Sequence, residues 1–155
     1  METKWSYVRD AVFGMRLAHL QVLRLSVMGD VSHESILSDV LAHSKAASEL
    51  HITCFPILML SMKKIEEVGN PEGLLPKLRR ICMDLEGDKM HADSIVIWRK
   101  LLRRYRASKT TLEVVFTGTG ERSLPPKVLR ELRAAAGSNI TIAVDKRPAY
   151  GSGEM

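Results

Sequence analysis

The sequence predicts a mainly helical chain with a C-terminal strand–helix–strand element, α+β overall, and three observations carry that prediction. Apolar residues step by three and four through most of the first 106 positions. Gly and Pro interrupt those runs at short intervals, as helix stops and starts. After Ser108 the pattern changes to two β-branched runs, TTLEVVFT and NITIAV. The expected architecture is a bundle of four to five helices in a domain of residues 1–107. Residues 108–145 would form the strand–helix–strand extension, packed on the bundle or on a partner chain, and 146–155 a flexible tail.

The first helix is expected over 5–28, where Trp5, Val8, Val12, Met15, Ala18, Val22 and Leu25 share one face and Gly29-Asp30 ends it. Asp30 or Ser32 caps a second, with Ile36, Leu37, Val40, Leu41, Ala47 and Leu50 inward. Pro56 kinks or restarts the chain, because proline lacks a donor and clashes with the preceding turn, and helix resumes over 57–68. Gly69-Asn70-Pro71 reads as C-cap, N-cap and first helical position. The following helix would reach about residue 86, burying Leu74, Leu75, Leu78, Ile81, Cys82 and Leu85. The last of the set, 91–107, places Ile95, Trp98, Leu102 and Tyr105 on one stripe. Beyond Ser108 come a strand at 110–117, a helix at 124–136 opened by Pro125-Pro126, and a strand at 139–144. Two parallel strands joined by one helix are seldom stable alone. Their edges therefore call for cover from the helices, or for a homodimer joined through 110–117 and 139–144.

Composition excludes several classes. With 155 residues, 45% hydrophobic and 26% charged, the chain has the makeup of one soluble globular domain. Two cysteines make no disulfide framework. Arg9 and Asp10 stand where an export signal would be apolar, and the longest apolar stretch, 52–62, is too short to span a bilayer. No transmembrane segment is expected, and the location read from this is cytoplasmic or nuclear. Asn139-Ile140-Thr141 fits a glycosylation sequon but reads as strand.

The net charge of +5 is not spread evenly. Residues 77–106 hold nine basic and four acidic groups, so the whole excess sits there. Arg99, Lys100, Arg103, Arg104 and Arg106 crowd the end of one helix, with Arg79 and Arg80 on the preceding segment. Arg99, Arg103 and Arg106 recur at helical spacing, so three guanidinium groups can follow one line of carboxylates or phosphates. The same run also fits a solvated face or a basic import signal. Trp98 and Tyr105 fall on the apolar stripe and read as core.

Weaker signals stand beside it. Gly118, Gly120 and Ser123 follow a strand and precede a helix, with Asp145 after the next strand, imitating a dinucleotide-binding turn. Pro125-Pro126 removes amides that would face a phosphate, so a plain turn whose glycines supply positive φ is the simpler reading. His51 and Cys54, with Cys82 and His91 at a distance, fall short of a convergent ligand set, and no metal or cofactor is expected. Met59, Met62, Met83 and Met90 suit an adaptable groove but more simply fill core gaps. No catalytic motif is present. The expected function is therefore a small non-enzymatic adaptor or regulatory protein, its basic helix facing an anionic partner, most simply a protein. Nucleic-acid binding by the 99–106 helix is the alternative, and a small enzyme or nucleotide-binding protein using 118–123 comes third.

Overall fold

The computed structural model describes residues 19–26, 40–53, 68–69, 73–85, 90, 92–118 and 124–145. Their chain order is β1 (Val22–Ser26), β2 (Glu49–Thr53), β3 (Arg80–Asp84), α1 (Ala92–Ser108), β4 (Leu112–Thr117), α2 (Pro126–Ala135) and β5 (Ile140–Val144). The five strands form one all-parallel sheet in the order β1-β2-β3-β4-β5. Residues 40–43 are also helical.

This overturns the helical bundle. Residues 22–26, 49–53 and 80–84, each expected inside a helix, are strands, and the architecture is α/β. The apolar positions hold while their element changes: Leu41, Leu50 and Ile81 are buried as expected, the last two from strands. Cys82 lies on β3 rather than on a helix stripe. The second half of the reading stands, because α1, β4, α2 and β5 fall within a residue or two of their expected bounds. The readings at 5–18, 27–39, 54–67, 70–72, 86–89 and 146–155 lie outside the described residues, as do His91, Gly120 and Ser123.

Strand order explains the layering. Each strand lies beside the next, and each return carries the chain back to the same end of the sheet after roughly thirty residues. α1 and α2, which carry the chain from β3 to β4 and from β4 to β5, pack side by side on one face of the sheet. The register follows suit. Leu23, Leu50, Ile81 and Val114 form one buried ladder, and Ile52, Met83 and Phe116 another, all pointing toward the helices. Trp98 of α1 meets Phe116 edge-to-face, with ring centroids 5.2 Å apart. Ile97, Leu101, Leu102 and Tyr105 complete the helix's buried stripe, so Met83 and Met90 serve as core filling.

The end of α1 is fixed by specific bonds. Lys109 takes a positive φ of 58° just past the helix, the left-handed conformation that terminates a helix. Ser108 Oγ donates to the Tyr105 carbonyl at 2.9 Å, and Asn139 Nδ2 donates to the carbonyls of Tyr105 and Thr110 at 2.9 and 2.7 Å. Asn139 thus clamps the start of β5 to the turn between α1 and β4. Its amide is occupied in the protein's own structure, in keeping with a strand-entry role rather than a sugar attachment.

Candidate functional site

The two faces of the sheet carry different chemistry. On the face turned away from α1, successive register positions bring Glu49, Arg80 and Glu113 side by side, followed two residues on by His51, Cys82 and Val115. Glu49 Oε1 accepts from His51 Nε2 at 2.6 Å and from Arg80 Nη1 at 2.8 Å. Arg80 Nε lies 3.2 Å from Glu113 Oε2, an ion pair without hydrogen-bond alignment. Burial works to raise the Glu49 carboxyl, but the His51 hydrogen bond and the Arg80 charge outweigh it and leave it below its ordinary value. Burial pushes the Cys82 thiol up, and Arg80 offsets only part of that. Cys82 is a free, buried cysteine.

The helical face is cationic. α1 and α2 together carry eight basic side chains and two acidic ones. Arg99, Arg103 and Arg106 line a groove of about 300 Å³ between the helices, with Glu131, Ala134 and Ala135 of α2 opposite. Arg103 and Arg106 are exposed and Arg99 half-buried. Among the described residues no ion pair holds any of the three. Arg106 also borders an adjoining groove of about 420 Å³ with Lys109, Gly137, Ser138 and Asn139. The Arg106 stem packs over Gly137 so closely that a Cβ there would lie 2.8 Å from its Cγ, which explains the glycine.

α1 and α2 thus bring three of the seven predicted cations together. Lys100 is exposed but lines neither groove, and Arg104 is half-buried with its guanidinium 5.4 Å from the Tyr105 ring. Arg79 is exposed and bonds to the Leu78 carbonyl. Arg80 departs from the basic cluster altogether, since strand alternation places it on the opposite face among the glutamates. Trp98 and Tyr105 are buried, at 0% and 2% exposure, so neither offers a ring for stacking.

Two other expectations change. Gly118 has the expected positive φ of 61° at the turn after β4. However, the order of the described strands never reverses, so among them there is no switch-point crevice, the place where parallel sheets hold dinucleotides. β4 is paired on both sides, so 110–117 offers no edge for a dimer, and β5 alone of that pair keeps an unpaired side among the described residues. Glu49 and Glu113 go unflagged in the sequence, and His51 is weighed there with Cys54, with Cys82 only as a distant partner, whereas the register sets His51 directly beside Cys82. The alternation E-L-H in β2 and R-I-C in β3 was the available signal.

No protein-family model matches this chain, and no curated protein or solved structure matches it. No helix among the described residues is long and apolar enough to cross a membrane.

Proposed function

We propose that this chain is a non-enzymatic binding module that takes an acidic segment of a protein partner along its α1–α2 face. The observation that carries the reading is the groove in which Arg99, Arg103 and Arg106 converge without an ion pair among the described residues. Guanidinium groups present planar donor forks suited to carboxylates, and a groove between two helices holds them in one row. The burial of Trp98 and Tyr105 favours a protein over single-stranded nucleic acid, whose binding leans on exposed rings for base stacking.

Exposed ion pairs are individually worth about 0.2–1 kcal/mol, so three contribute about 0.6–3 kcal/mol. Reversing two of the charges removes that gain and adds repulsion. Fluorescence anisotropy with a labelled Glu/Asp-rich peptide tests the reading, alongside single-stranded RNA and duplex DNA of equal charge. The peptide should bind, and R103E/R106E should weaken it at least about tenfold. Tighter binding of either nucleic acid, with a steep salt dependence, would replace the protein partner by a nucleic acid.

A further inference from the structure

We propose that Glu49, His51 and Cys82 form a binding site for a divalent zinc ion on the sheet face opposite the basic groove. Their ligand atoms all lie within 4.8 Å of one another. The backbone dictates this meeting. Glu49 and His51 are two apart on β2 and share a face, while His51 and Cys82 are register partners on adjacent parallel strands. Bonds of 2.0–2.3 Å in a tetrahedral zinc site set donors about 3.5 Å apart. Closing a separation of 4.8 Å to that spacing takes about 1.3 Å of side-chain movement.

The donor chemistry selects the ion. One carboxylate oxygen, one imidazole nitrogen and one thiolate suit a borderline-soft cation, whereas calcium and magnesium take oxygen. Two of the donors have atoms unused among the described residues. His51 Nδ1 is buried without a hydrogen bond there, and both described polar contacts of Glu49 use Oε1 rather than Oε2. Arg80 is the countervailing charge at the site. It retains Glu113 as an ionic partner when Glu49 turns to the metal. Coordination converts the Cys82 thiol to thiolate and releases one proton to solvent, while the imidazole binds neutral and the carboxylate is already ionised. The thiolate and carboxylate then balance the ion's charge. Three protein ligands leave the fourth position to water.

The test titrates the full chain, reduced and stripped with chelator, with Co²⁺ as the spectroscopic stand-in and with Zn²⁺ by calorimetry. One equivalent of Co²⁺ should produce a thiolate charge-transfer band and tetrahedral visible bands, and Zn²⁺ should displace it. Cys82→Ser should abolish the charge-transfer band and His51→Gln should weaken binding by at least about tenfold, both with wild-type circular dichroism. Cys54→Ser and Arg103→Glu should leave the titration unchanged. Absence of the band in the wild type, or its persistence in Cys82→Ser, would overturn the site. Peptide binding at the basic groove is a separate readout, so either proposal can fail without the other.

Discussion

Replacing Gly69 by Ala tests how α1 is seated. Gly69 has φ of +77°, and its N–H donates to the Leu74 carbonyl at 2.6 Å beside the Val68–Leu74 bridge. A residue with a Cβ costs about 1–2 kcal/mol in that left-handed region. The added carbon would also stand 2.6 Å from Tyr105 Cζ and against its Oη, inside van der Waals contact. Tyr105 is 2% exposed and cannot swing away without disturbing α1, so overpacking adds about 1–3 kcal/mol. The total is about 2–5 kcal/mol, measurable by urea denaturation. Trp98, buried against Phe116, provides the fluorescence signal. Tyr105→Leu shortens the opposing side chain. In that background Gly69→Ala should lose only the backbone part, giving a coupling of about 1–3 kcal/mol. A loss under 1 kcal/mol, or no coupling, would refute a seat built on glycine and tyrosine.

Tyr105→Phe should be neutral or stabilising by up to about 1 kcal/mol at neutral pH, because the buried Oη has no hydrogen-bond partner among the described residues. A loss above that size would show an unrecognised bond. Burial pushes the Tyr105 hydroxyl up to about 12, with Arg104 and Arg79 opposing it. The unfolded chain loses this proton near pH 10, so the folded state binds it more tightly and stability falls as pH rises from about 10 to 12, by up to about 3 kcal/mol. Tyr105→Phe should lack that portion of the alkaline loss, and identical alkaline curves would contradict the buried placement. Asn139→Asp and Asn139→Ala should each cost about 1–3 kcal/mol, since both remove the two amide donations to the Tyr105 and Thr110 carbonyls. Wild-type denaturation midpoints in both variants would remove the clamp.

The C-terminal half is legible because its local signals agree with its tertiary setting. β4 is rich in Val, Phe and Thr, α2 opens on proline, and α1 repeats its apolar residues over four turns. The first three strands give weaker signals. VLRLS, ELHIT and RICMD alternate with period two for only five residues each. Seven of their fifteen residues are Leu, Arg, Glu or Met, which favour helices, so tertiary pairing decides what propensity does not. Spacing on one helix identifies Arg99, Arg103 and Arg106, because a single period governs all three. Arg79 and Arg80 are adjacent in sequence, yet a strand turns neighbours to opposite faces, and no charge count reveals that. The Glu49–His51–Cys82 cluster joins two strands roughly thirty residues apart, so it emerges only once their register is known.

The most direct test of the basic groove is a backbone amide chemical-shift map of the chain titrated with the acidic peptide. Perturbations should gather at residues 99–109 and 131–139, across the two adjoining grooves. Shifts confined instead to Glu49, Arg80 and Glu113 would place binding on the opposite face of the sheet and contradict the proposed function.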